Sequence, residues 1–183
     1  MSEKSTPICD FGQNAYDFNL GCTTGKNWTL DSLKGERGLL IFFICNHCPF
    51  VKAIIPKLVK VTNTLIDHGI NSVGIMSNDT EEYPEDSFDN MKRIAKKNNF
   101  SFPYLLDETQ EIAKKYGAVC TPDFFGYNKD LELQYRGRYK ELKDLKPINN
   151  EDSNLKVAMK MIGQTQKGPD EQIPSMGCNI KWK

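Results

Sequence analysis

Charge of one sign is the first thing the chain lacks. It balances 24 Lys and Arg against 24 Asp and Glu, so no long-range field draws it to nucleic acid or to an anionic membrane surface, and neither is expected as a partner. No apolar run approaches the roughly 20 residues that a spanning helix needs. The opening Met-Ser-Glu-Lys-Ser-Thr-Pro has no apolar signal core, which makes a cytoplasmic location the expectation. Internal repeats are also missing. The 183 residues, 39% hydrophobic, are therefore expected to form one domain over 1–183, with 1–37 as an N-terminal extension and hairpin and 168–183 as a C-terminal tail. Cysteine, by contrast, is not scarce. Six of them in a reducing compartment point to catalysis, redox sensing or metal binding rather than to a disulfide scaffold.

The chemistry is concentrated between residues 39 and 52. Leu39 to Ile44 is a short unbroken apolar run, the pattern of a strand buried on both faces, and it ends at Cys45-Asn-His-Cys48. Pro49 suits the first turn of a helix, and Val51, Ile54, Ile55, Leu58, Val59 and Leu65 follow at helical spacing as far as about Asp67, with Pro56 inside. A strand feeding a dithiol at a helix N-terminus is the arrangement of a redox switch. The expectation is that Cys45 is the more exposed thiol, with its pKa lowered by the helix dipole, while Cys48 lies one turn further in and stays protonated until it resolves a mixed disulfide. His47 is expected to stabilise the Cys45 thiolate and so make the disulfide more oxidising.

The rest of the chain supports an alternation of strands and helices. Asp17 to Leu20 and Asn27 to Thr29 read as a small hairpin with Cys22 in its turn, and Leu30 to Leu33 as a brief helical turn. Cys9 and Cys22 have no partner at motif spacing. Ile70 to Ser77 is a second apolar strand, parallel to the first. Asp86 or Ser87 is expected to cap a helix through Lys97, and Asp107-x-x-Gln110 to open another that ends at Gly117. Ala118 to Phe125 and Leu131 to Tyr135 suggest an antiparallel pair, and Leu155 to Ile162 a last helix. The unpatterned tail carries Cys178, Ile180 and Trp182. Burial of Ile180 and Trp182 would dock it and bring Cys178 near Cys120 or the Cys45 and Cys48 pair.

Several stretches carry a family resemblance: Cys-Asn-His-Cys-Pro-Phe-Val-Lys, Tyr-Pro-Glu-Asp-Ser, Tyr-Gly-Ala-Val-Cys-Thr-Pro-Asp-Phe-Phe, Tyr-Arg-Gly-Arg and the terminal Gly-Cys-Asn-Ile-Lys-Trp-Lys. Over nearly its whole length the chain resembles the thioredoxin-like proteins related to the alkyl hydroperoxide reductase and thiol-specific antioxidant family. The resemblance implies an α/β thioredoxin-like fold, with a mixed central sheet flanked by helices and an N-terminal hairpin extension. It also implies an attacking Cys45, a resolving Cys48, a cis Pro122 beside the dithiol and a Thr121 that presents its backbone to an extended substrate. No cofactor is implied. The partners would be a protein or small-molecule disulfide, or a hydroperoxide, together with a thiol reductant.

Two other functions compete with thiol-disulfide exchange. The peroxiredoxin pattern places a proline and a hydroxyl residue ahead of a peroxidatic Cys-Pro. Cys48-Pro49 fits its end, but the hydroxyl and proline positions then fall on Cys45 and Ile41; with Cys45 as peroxidatic residue the hydroxyl position becomes Phe42. The third function is soft-metal binding, of copper or zinc, through Cys45, His47, Cys48 and Cys120. The usual paired zinc spacing is absent.

Overall fold

The computed structural model describes residues 2–183. The chain enters through a short strand, β1 (Glu3–Ser5), and then forms the expected hairpin from β2 (Asn19–Cys22) and β3 (Asn27–Thr29). Asn19 lies opposite Thr29, and Cys22 ends a strand rather than sitting in the turn. A single-turn helix α1 (Leu30–Leu33) follows, closed by a capping box between Thr29 and Ser32. Next comes β4 (Gly38–Phe43), whose residues are all buried. The period of two explains its unbroken apolar sequence. Leu40 and Phe42 point into one core cluster while Leu39, Ile41 and Phe43 point into another on the opposite face.

Helix α2 (Pro49–Ile66) runs through Pro56 and buries Ile54, Leu58 and Leu65 against the sheet. Each such side chain removed from water contributes about 1.5 to 3 kcal/mol. Strand β5 (Ile70–Met76) lies parallel to β4, as expected for a strand, helix and strand unit. A 3-10 turn at Pro84–Asp86 leads into α3 (Phe88–Lys97), whose N-cap is Ser87. Strand β6 (Tyr104–Leu106) is parallel to β5, and α4 (Glu111–Tyr116) ends at Gly117, which takes the left-handed conformation at φ 64°. The capping box expected at Asp107 and Gln110 does not form. Asp107 accepts from the backbone N–H groups of Ile112 and Ala113, and Gln110 turns toward the tail.

The stretch expected as one strand from Ala118 to Phe125 is two, β7 (Cys120–Thr121) and β8 (Asp123–Asn128), divided at Pro122 and belonging to different sheets. Strand β9 (Leu133–Tyr135) pairs antiparallel with β8. A tiny hairpin, β10 (Leu142–Lys143) with β11 (Lys146–Pro147), precedes α5 (Asn154–Thr165) and the tail strand β12 (Met176–Asn179). The main sheet has seven strands in the order β3-β2-β6-β5-β4-β8-β9, so the hairpin is its edge through β2 and β6. Helices α2 and α5 cover the Leu40 and Phe42 face, and α4 covers the other. The small second sheet, β1-β12-β7, closes over the end of β4 where the cysteines lie. Ile180 anchors the tail at 1% exposure, as expected, but Trp182 stays 40% exposed beneath the Lys114 ammonium.

Candidate active site

The helix begins four residues later than Cys45. Cys48 is the N-cap of α2, and Pro49 occupies the first helical position. Both thiols are buried, Cys45 at 2% and Cys48 at 0% exposure, so Cys45 is not the exposed thiol expected at the helix terminus. The acidities are also the reverse of that expectation. The Cys48 thiol is drawn down to about 5, chiefly because the Cys45 thiol donates to it; burial opposes this, and the Cys178 thiol and the Val51 backbone N–H add to it. The Cys48 thiol donates to the Thr121 carbonyl oxygen at 3.1 Å, which favours the protonated form and opposes the shift. Cys45 is pushed well above the usual thiol range because it gives its proton to that hydrogen bond with Cys48, is buried and faces the Asp86 carboxylate. The Thr121 hydroxyl lies 3.4 Å from Cys45 Sγ.

The loop between the cysteines is held by Asp86, fully buried and 40 residues from Asn46 in sequence. Its carboxylate accepts from the Asn46 backbone N–H at 2.7 Å, from Asn78 Nδ2 at 2.8 Å and from His47 Nδ1 at 2.7 Å. Asn46 is clamped in addition by the Tyr104 hydroxyl, which donates to its Oδ1, and by its own Nδ2, which donates to the Glu85 carbonyl. A buried carboxylate with three donors is a rigid anchor for a tight loop. His47 therefore serves Asp86 and stacks on Tyr83 at a centroid distance of 5.5 Å. Among the described residues it makes no hydrogen bond to either sulfur, so the expected direct stabilisation of a Cys45 thiolate is replaced by positioning of the loop. From sequence Asp86 is expected only as a possible helix cap, and Ser87 holds that position.

Thr121 and Pro122 do lie against the dithiol, and the peptide bond between them is cis. Strand β12 pairs with β7 in the register Cys178 to Thr121 and Asn179 to Cys120, which occupies the Thr121 backbone. It also brings Cys178 Sγ to 3.0 Å from Cys48 Sγ. Burial, with Cys48 alongside, pushes the Cys178 thiol up to about 12. Cys120 stands apart from this trio: its sulfur faces the Pro122 carbonyl at 3.7 Å, and burial beside Asp123 pushes it far up. The nearby Arg136 is committed to Asp123 and to the Gly117 carbonyl.

A cleft of about 180 Å³ opens beside Cys45, walled by Ile44, Val51, Ile55, Phe100 and Tyr104, with Lys52 and Lys97 also lining it. The metal set expected at Cys45, His47, Cys48 and Cys120 does not assemble. The group close enough to share an ion is Cys45, His47 and Asp86, with donor atoms within 4.8 Å of one another, and there His47 Nδ1 is already bonded to Asp86. Among the described residues no helix is long and apolar enough to cross a membrane.

The sequence pattern of the AhpC/TSA family matches residues 11–139. No curated protein matches the chain. Among solved structures, an uncharacterized conserved protein from Geobacillus kaustophilus is 40% identical, with 100% of this chain and 97% of that one covered and a TM-score of 0.95. A secreted disulfide oxidoreductase of Mycobacterium tuberculosis is 24% identical over 64% of this chain and 80% of its own, with a TM-score of 0.55. The peroxidoxin BcpB of the same organism is 18% identical over 69% and 83%, with a TM-score of 0.57. The last two show a shared thioredoxin-like fold.

Proposed function

Because the chain belongs to the AhpC/TSA family, whose fold carries thiol chemistry, we propose that it is a thiol-disulfide oxidoreductase working through Cys45 and Cys48. The observation that supports this reading is the geometry of the pair: Cys48 caps α2 directly ahead of Pro49, the cis Thr121-Pro122 bond lies against it, and Cys45 lines the cleft. In the oxidised form Cys45 and Cys48 share a disulfide. A partner thiolate entering by the cleft attacks Cys45 Sγ, the disulfide breaks, and the electron pair leaves on Cys48, where the helix N-terminus stabilises it. A lower leaving-group pKa speeds exchange and favours the reduced form, so the disulfide is a good oxidant. A second partner thiol then attacks the mixed disulfide at the partner's sulfur and returns Cys45 as a thiol. In the reverse direction the Cys45 thiol passes its proton to the Cys48 thiolate as it attacks a partner disulfide; Cys48 then gives that proton to the departing partner thiolate and attacks Cys45 Sγ, which closes the disulfide and releases the second partner thiol. Asp86, Asn46 and His47 hold the loop, Thr121 gives Cys45 a hydrogen bond, and Pro122 shapes the wall.

The substrate on this reading is a protein or small-molecule thiol or disulfide, and a thiol reductant completes the cycle. A cytoplasmic location stays part of it, since a cycling dithiol needs such a reductant. The test is a pair of trapping variants treated with oxidised glutathione. Cys48→Ser should accumulate a mixed disulfide on Cys45, and failure to form one while Cys45→Ser traps on Cys48 would reverse the assignment. One observation favours a second reading, a thiol peroxidase: the acid-shifted thiol is Cys48, directly before Pro49. Disulfide mapping after one equivalent of hydrogen peroxide separates the two. Rapid sulfenic acid on Cys48 supports the peroxidase, and slow formation of the same Cys45 to Cys48 disulfide that glutathione gives supports the exchanger.

A further inference from the structure

The pair does not stand alone, because β12 delivers a third sulfur from 130 residues away to within 3.0 Å of Cys48. That placement is built, not incidental. The strand is held between β1 and β7, with Cys178 opposite Glu3 on one side and Thr121 on the other. The Ser175 hydroxyl donates to the Pro122 carbonyl at 2.9 Å, and the Lys181 backbone N–H donates to Asn78 Oδ1 at 2.9 Å. Asn78 in turn donates to Asp86, so one chain of hydrogen bonds positions both the dithiol loop and the tail. Gly177 permits the close approach, since a Cβ there would overlap the Thr121 carbonyl oxygen. A disulfide needs sulfurs about 2.05 Å apart, so Cys48 and Cys178 have only about 1 Å to close.

Resting on the Cys45 and Cys48 reading, we propose that Cys178 is a third exchanging cysteine, which takes Cys48 from Cys45 and forms a Cys48 to Cys178 disulfide. The Cys178 sulfur attacks Cys48 Sγ, the bond between Cys48 and Cys178 forms, and the bond between Cys48 and Cys45 breaks. The electron pair leaves on Cys45, which takes up the proton that Cys178 gives up. No net oxidation occurs, so no outside reagent is consumed. Cys45 is restored as a thiol at the cleft while the oxidising equivalent is stored under β12, which becomes covalently tied to the start of α2.

The test uses the full-length chain, reduced, then given one equivalent of oxidised glutathione and quenched in acid for peptide mapping. Cys45→Ser should lose its free thiols at both 48 and 178, release both halves of the glutathione and yield a linked 48 and 178 peptide. The native chain should yield the Cys45 to Cys48 and Cys48 to Cys178 links together, and Cys178→Ala only the former. A stable glutathione adduct on Cys48 of Cys45→Ser, with Cys178 still free and circular dichroism native, would overturn the proposal. In that case a Cys45 to Cys48 link in the native chain would show that the parent reading survives. Absence of that link from both the native chain and Cys178→Ala would remove the parent reading instead.

Discussion

Replacing Asp86 by Asn tests the claim that a buried carboxylate sets the shape of the dithiol loop and helps to raise the Cys45 thiol. The structure presents three donors to Asp86: the Asn46 N–H on Oδ1, and Asn78 Nδ2 and His47 Nδ1 on Oδ2. An asparagine can keep its oxygen on Asn46, but its amide nitrogen then faces the Asn78 amide donor. Asn78 cannot relieve the clash by flipping, because its Oδ1 already accepts from Lys181. The variant loses charge-assisted hydrogen bonds worth about 1.5 to 3 kcal/mol each and leaves a buried donor unpaired at about 1 to 3 kcal/mol, with partial relaxation through the His47 tautomer. A net destabilisation of about 3 kcal/mol is expected from urea titration at constant m. Cys45, freed of the neighbouring negative charge, should titrate lower than in the native chain. A variant within about 0.5 kcal/mol of native stability, with Cys45 unchanged, would refute the role given to Asp86.

The redox potential should carry the signature of a single ionised thiol. With Cys48 at about 5, the reduced form holds both dithiol protons below that pH and only one above it, so the potential should fall by about 30 mV per pH unit at neutral pH and by about 59 mV per unit in stronger acid. A slope near 59 mV through neutrality would mean that no thiolate exists. The ionisation itself stabilises the reduced form at neutral pH and so raises the potential relative to that of an unshifted thiol. In the tail, Gly177→Ala should push β12 off β7, because the Thr121 carbonyl it meets is backbone and cannot swing aside. A loss of about 1 to 3 kcal/mol and faster alkylation of Cys178 are expected, and unchanged labelling would show the strand to be held some other way.

What could be read from the sequence was what local pattern determines. The run from Leu39 to Ile44 declared a doubly buried strand, and the spacing behind Pro49 declared its helix. The N-cap was also legible, since a proline at the first helical position puts the cap one residue earlier; Cys48 rather than Cys45 follows from Pro49 itself. Asp86 was not legible. It lies in a short 3-10 turn 39 residues beyond His47, and a carboxylate just ahead of Ser87 looks like any helix entry until the fold turns it inward. Nor does the sequence show that Pro122 divides two sheets, because β7 takes its partner from the far end of the chain. The docking of the tail was foreseen from its apolar residues, yet Ile180 does the anchoring while Trp182 stays half outside.

Whether Cys48 is the stabilised thiolate of the pair is tested most directly by a site-resolved titration, which requires no reagent to reach a buried sulfur. Reduced protein labelled with carbon-13 at the cysteine Cβ would be followed by nuclear magnetic resonance across the pH range. The Cys48 signal should shift with a midpoint near 5, while Cys45 remains a thiol through neutral pH. A Cys45 midpoint below that of Cys48 would contradict that assignment.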